Sequence, residues 1–364
     1  MDLISTVKEL HKKLPSYEFT PEQEKAFADY LAFVVEREDL LELIQTYHDD
    51  IFDNKKYTLA QVEALPEKDG KEEGFLFAVM FLARYELMDK VFAQRGISPS
   101  EYKVGILKKY KDSLAKNKTQ YGSHGLRGMH RYSLVNYLIP LEYRIGRLLF
   151  EITKFNSAFE VYRNKNTADT VLVALPGFQY MPTGKRPPST YTGELFEPYI
   201  KQDGDNMECF AFDEEGNFSA TPITIKVSDY EKVLQTGDDV LSVHIPADGR
   251  MTPELIDEAF ALADKFFADH YADVDFKAYV CSSWLLNTDI KEFLNPESNI
   301  VRFQKRFRIV VTTVNGYSLF WHVFGTPNIG PLDELVPKND FQKKFLDRVK
   351  AGQTLYNGYG YILK

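Results

Sequence analysis

VLSVHIPADGRMTPELIDEAFALADKFFADH, residues Val240 to His270, carries the passage from strand to helix that decides the fold. Leu241, Val243 and Ile245 alternate with Ser242 and His244, the period of a pleated strand. Pro246 removes a backbone donor and stops the ladder, and Gly249 offers a freely adjustable φ for a tight turn. Thr252 stands where an N-cap belongs, with Pro253 at the first helical position. Leu255, Ala259, Leu262 and Phe266 then share one helical face, with Ile256, Ala263 and Phe267 beside them. A strand feeding a helix through a short glycine turn leaves backbone N–H groups facing a pocket. Those donors and the helix dipole can hold a phosphate. Arg250 would help an anion here, whereas Asp248 and Glu254 place negative charge beside the same donors. Most strand–helix connections of this kind bind nothing.

Outward from this stretch, composition sets the bounds. At 364 residues the chain predicts two domains, or one large elaborated one. Its 27 Phe and 22 Tyr fit a packed globular protein rather than a disordered one. A net charge of −9 disfavours nucleic acid, which needs a basic footprint, and favours neutral or cationic substrates. Cys209 and Cys281 are too few for a disulfide framework or a cysteine-built metal site, so reduced thiols and no metal are expected. The first residues, MDLISTVKELHKKL, are charged and amphipathic, unlike a secretory signal. The longest apolar run, Phe75 to Ala83, ends at Arg84, far short of a membrane span. A cytoplasmic protein that stays off membranes is expected, its oligomeric state open.

Residues 1–165 read as helix after helix. Leu3, Val7, Leu10 and Leu14 mark a first amphipathic helix, and Thr20, Pro21 and Gln23 form a start signal with a capping box. Gly74 to Gln94 is a strongly apolar helix closed by Gly96, and Ser98, Pro99 and Glu101 open the next. The loop YGSHGLRGMHR, Tyr121 to Arg131, gathers Arg127, His130 and Arg131 near a helix start, a place for binding or simply a turn. A last long helix is predicted from Tyr132 to Phe155, with Arg147 and Glu151 spaced as a surface ion pair. From Asn164 the period becomes alternating, giving a sheet domain over residues 166–364. Thr170 to Leu175 reads as a strand, and Glu208 to Asp213 with Ser219 to Val227 as a hairpin about DEEGN. A short helix at Tyr230 to Leu234, a strand at Lys277 to Leu286 and a helical piece at Thr288 to Phe293 follow. Arg306 to Val314 and Tyr317 to Phe324 read as a hairpin turned at Asn315-Gly316. A helix over Asn339 to Lys350 and a strand over Gly358 to Leu363 end the chain.

The order strand, glycine turn, helix, strand, short helix, hairpin resembles the second half of a GNAT-type acyltransferase. GDDVLSVHIPADGRMTPE, CSSWLLNTDI and SNIVRFQKRF resemble the GNAT-like C-terminal domain of a family of acyltransferase-domain proteins. YRIGRLLFEI is similar to that family's N-terminal acyltransferase domain. The resemblance covers most of residues 130–364. It implies an α+β chain, an all-helical N-terminal domain followed by a GNAT-like mixed sheet. It also implies acyl-CoA as co-substrate and a small-molecule or peptide amine as acceptor. Proteins of this fold set the pyrophosphate on a Q/R-x-x-G-x-G/A turn, which falls here on Pro246 to Met251. Gly249 matches, while Pro246 replaces the polar first residue and Met251 the last small one. Ile245, Ala247, Gly249, Arg250 and Met251 become the candidate phosphate contacts, and Asn299 and Gln304 the candidates for the pantetheine amides. Asn299 serves equally well as the cap of a turn.

N-acyl transfer needs a base for the amine, a donor for the developing oxyanion and an acid for the departing thiolate. His244 ends a central strand near the implied cleft and suits the base, though such a histidine more often bonds a neighbouring carbonyl. Ser282 and Ser283, beside Cys281 on the paired strand, could support the oxyanion. Two rivals stand beside this assignment: a nucleophilic Cys281 assisted by His244, and a non-catalytic module that keeps the fold without the chemistry.

Overall fold

The computed structural model describes residues 2–364 apart from 55, 72, 140, 315–319, 321 and 326–330. The chain divides into two compact units, Met1–Arg144 with Phe266–Tyr271, and Ile145–Lys265 with Ala272–Lys364.

The first unit is helical: α1 (Leu3–Glu9), α2 (Pro21–Val34), α3 (Glu38–His48), α4 (Leu59–Ala64), α5 (Phe75–Ala93), α6 (Pro99–Tyr121) and α7 (Met129–Leu138). The Gln23 N–H donates to the Thr20 hydroxyl at 3.2 Å and the Thr20 N–H to the Gln23 side chain at 3.1 Å, the expected reciprocal cap. Helix α5 is its axis. Phe75 to Ala83 are all buried, as a helix apolar on every side must be. Gly96, at φ +68°, ends it as read, with the Ile97 N–H donating back to the Phe92 carbonyl. The glycine-rich loop clasps the start of α5. A Cβ on Gly125 would stand 2.3 Å from the Glu73 carbonyl oxygen. Arg131 is buried, paired with Glu67, and stacked 3.8 Å from the centre of the Phe77 ring. His130 bonds Gln120 at 3.0 Å. Arg131 and His130 are therefore spent on packing.

The main sheet has the order β1-β2-β9-β10-β12-β11, with β1 Glu142–Ile145, β2 Leu148–Lys154, β9 Asp239–His244, β10 Ala278–Ser283, β11 Arg308–Val314 and β12 Tyr356–Leu363. One small sheet joins β3 (Phe159–Asn164), β4 (Thr170–Ala174) and β8 (Tyr230–Leu234); another joins β5 (Lys201–Asp203), β6 (Asn206–Cys209) and β7 (Ile223–Lys226). Helix α8 (Pro253–His270) lies on one face of the main sheet, Phe260 meeting Phe150 and Tyr279 at 5.8 and 4.9 Å. On the other face Val240, Ala278, Val280 and Tyr361 share a core with Phe159, Leu172 and Phe212. The DEEGN tip covers the edge strand: Gly216 stands against the Ile309 carbonyl, and Arg308 donates to the Asp213 and Glu214 carbonyls.

Three expectations are corrected. The helix read from Tyr132 to Phe155 stops at Leu138, and β1 and β2 follow, joined at Gly146 with φ +56°. Arg147 and Glu151 are thus not a helical pair. Tyr230 to Leu234 is not a helix but β8, an edge strand paired with β3. Strand β11 pairs with β12, while Phe320 and His322 to Phe324 are helical. The Asn315-Gly316 turn lies outside the described residues. Helices α9 (Asn299–Gln304) and α10 (Asp340–Lys350) complete the unit. No helix among the described residues is long and apolar enough to cross a membrane.

Candidate active site

Strands β9 and β10 are the one parallel pair among the described ladders, and they pair over three residues: Val240 with Ala278, Leu241 with Tyr279, Ser242 with Val280. Beyond these, both strands continue with other neighbours. Val243 and His244 stay beside Phe150 and Leu149 of β2, while Cys281, Ser282 and Ser283 stay beside Gly360, Tyr359 and Gly358 of β12. The sheet opens between them like a V. A gap there exposes unpaired backbone donors and acceptors to whatever enters it.

Extending the register past its last pair sets Ser282 level with His244 and Cys281 level with Val243. Alternation puts Ser282 and His244 on the same face, and both are exposed. His244 Nε2 lies 2.8 Å from Glu151 Oε2 and 3.4 Å from Ser242 Oγ. A neutral ring donating Nε2–H to Glu151 keeps Nδ1 as its basic nitrogen. With the His244 side chain 47% exposed, the pair adds little to stability. Its effect is orientation. Sequence reasoning missed Glu151 because the segment reads as a helix; the alternation of Phe150 and Ile152 with Glu151 and Thr153 was the available signal.

The other serine is used differently. Ser283 Oγ accepts from the Leu285 N–H at 3.2 Å, capping the turn Trp284–Leu286. It alternates with Ser282, so it sits on the opposite face from His244. Gln304 is buried and donates to the Leu285 and Asn287 carbonyls at 2.7 and 3.0 Å. Asn299 is exposed at the start of α9, where Ser298 is the cap. Cys281 is buried, and burial pushes its thiol up to about 12.

The turn after β9 is bound from below by Arg147, whose guanidinium donates to the Pro246, Gly249 and Arg250 carbonyls at 2.6, 2.8 and 2.8 Å. Gly249 does not have a positive φ. A Cβ there would stand 3.4 Å from Arg147 Nε, in ordinary contact with the guanidinium. Ala247 to Arg250 are exposed. A cavity of about 490 Å³ lies elsewhere in this unit, at the β11 edge, lined by Lys185, Asp289, Gln304 and Arg308 among others. It includes neither His244 nor Ser282. In the first unit His48, Asp49 and Asp53 bring possible metal-binding atoms within 4.8 Å of one another. The 3.0 Å bond from His48 Nδ1 to Asp49 accounts for that grouping without an ion.

A mixed sheet opened at its parallel pair, with a turn and helix leading from one lip, is a GNAT-like architecture. The chain belongs to the family carrying the GNAT-like C-terminal domain, whose profile matches residues 142–362. Among solved structures, an acyltransferase in complex with decanoyl-CoA and teicoplanin superposes with a TM-score of 0.60 at 19% identity, over 97% of this chain and 86% of that one. A mutant acyltransferase in complex with octanoyl-CoA gives 0.60 at 18% identity, over 99% and 88%. A further acyltransferase complex with decanoyl-CoA gives 0.56 at 18%, over 93% and 84%. No curated protein sequence matches the chain.

Proposed function

We propose that the protein is an acyl-CoA-dependent N-acyltransferase acting on a small-molecule or peptide amine. The observation that carries this is the opening of β9 from β10 with His244, held by Glu151, exposed at its lip. The acyl-CoA and CoA complexes of the similar structures support the co-substrate. The pantetheine arm would enter the V, and the pyrophosphate would meet the N–H groups between Ala247 and Met251. His244 takes one proton from the acceptor amine, directly or through one water, as the new N–C bond forms and the C–S bond breaks. Ser282, level with His244 on the same face, donates to the carbonyl oxygen as it gains charge. Ser283 and Gln304 have structural rather than chemical partners, so their part is to hold the second arm.

The rival reading, a binding module without chemistry, draws on Glu254. Its own N–H, then the Thr252 hydroxyl, hold its carboxyl below the ordinary range, so a charge already sits at the helix start. CoA titration separates the readings. Octanoyl-CoA and CoA are expected to raise the melting temperature, as ligands of the folded state do, and Gly249→Val to abolish the shift. Absence of any shift at millimolar CoA overturns the assignment. A shift without thioester consumption, across a panel of amines, favours the module.

A further inference from the structure

We infer that Arg147 is a positioning residue that sets the polarity of the phosphate-binding turn. The inference rests on the acyl-CoA reading above. Arg147 belongs to the turn between β1 and β2, and its side chain is 6% exposed. It reaches a segment about a hundred residues away and donates to three carbonyl oxygens there, those of Pro246, Gly249 and Arg250. No peptide in the described chain is cis. In a trans peptide the N–H projects opposite to the carbonyl, so the N–H groups of Ala247, Arg250 and Met251 point away from the guanidinium. Ala247, Gly249 and Arg250 are exposed.

One buried cation thereby turns three peptide dipoles the same way. Their negative ends are neutralised inside, and their positive ends are offered outside as a fixed anion site. This explains how the turn keeps phosphate geometry although Pro246 and Met251 depart from the Q/R-x-x-G-x-G/A pattern. Donors that the pattern would orient by its small residues are oriented here from below. A lysine could not do the same, because a single ammonium cannot serve three acceptors spread along one plane as a guanidinium does. Gly249 lies over the device, a Cβ there coming to 3.4 Å from Arg147 Nε.

The test compares two acyl donors, octanoyl-CoA and octanoyl-pantetheine, which lacks the pyrophosphate. Arg147→Lys and Arg147→Met are expected to raise KM for octanoyl-CoA by about ten- to a hundredfold with kcat little changed. The kcat/KM for octanoyl-pantetheine should stay within about twofold of wild type. Equal losses for both donors overturn the inference, because a merely structural role would not tell them apart. So does unchanged CoA affinity in folded variants. Should the variants fail to fold, amide spectra of the wild-type protein decide: CoA must move the N–H signals of Ala247, Arg250 and Met251, and silence there overturns the inference. A wild-type protein that binds no CoA overturns the acyl-CoA reading itself, and the inference with it.

Discussion

The two arms of the opened sheet end in opposite ways. Strand β9 finishes in exposed polar groups: His244 oriented by Glu151, then a turn whose carbonyls are gathered by Arg147. Strand β10 finishes by folding inward. Ser283 caps a helical turn, Leu286 lies over Gly358 and Gly360 of β12, and Gln304 ties the bend to α9. A Cβ on Gly358 would stand 2.1 Å from the Leu286 carbonyl oxygen, so the arm closes down on bare backbone. The difference teaches a division of labour. One arm presents chemistry, and the other is held away from it so that the gap exists. The segments that make the sequence recognisable, CSSWLLNTDI and SNIVRFQKRF, belong mostly to the second task.

The sharpest way to break this comparison is at His244. His244→Gln keeps volume and a hydrogen bond to Glu151 while removing the base. Turnover of octanoyl-CoA is expected to fall about 10²–10⁴-fold with the melting temperature unchanged. Ser283→Ala should instead lower stability by about 1 kcal/mol through loss of the cap and leave turnover per folded molecule nearly intact. If the two variants exchange phenotypes, the chemistry lies on the β10 arm.

Glu151 comes next. Its carboxylate accepts from His244 across the β2–β9 ladder, a contact too exposed to matter for folding. Glu151→Gln should cost about tenfold in kcat, by loosening the ring that the carboxylate orients. A Glu151→Gln protein with full activity would show that His244 acts unassisted, or not at all.

The contrast between the arms also marks what the sequence made legible. Periodicity found the helical half, the Thr20–Gln23 cap, the end of α5 at Gly96 and residues 241–245 and 278–285 as neighbouring strands, which pair through Ser242 and Val280. It could not find Arg147 and Glu151 as site residues. Leu, Arg and Glu are good helix formers, and in YRIGRLLFEI they outweighed the alternation and the turn glycine that the sheet obeys. The face of α8 was misjudged for a related reason. Leu255 and Leu262 are 40% and 44% exposed, while Ile256, Ala259 and Ala263 are buried. Ala259 packs against the backbone of Gly146, so close approach rather than side-chain size chose the inner face. Pattern reading weighs hydrophobicity, and it cannot see a contact made by small residues.

A smaller effect is expected at Glu254, where the helix start already holds a negative charge. Glu254→Gln should tighten CoA binding about two- to fivefold near neutral pH. Because its carboxyl is held below the ordinary range, it stays ionised until the pH falls well into acid. Once it protonates, wild type and variant should bind alike. A gain that persists unchanged through that titration would mean the charge of Glu254 is not what CoA feels.

The smallest effect is predicted at the residue that looks most reactive on paper. Cys281 lies on the β10 arm, level with Val243, and is 1% exposed. Burial among apolar neighbours pushes its thiol up to about 12, so the thiol stays protonated at pH 7. A covalent acyl intermediate on such a sulfur would need both access and ionisation, and the fold withholds both. Cys281→Ala should therefore keep kcat within about twofold, while the cavity left in the arm lowers stability by about 1 kcal/mol. Iodoacetamide should leave the native thiol untouched and label it after unfolding in guanidinium. Rapid native labelling of Cys281 with parallel loss of turnover would overturn the division between the arms and move the nucleophile to β10.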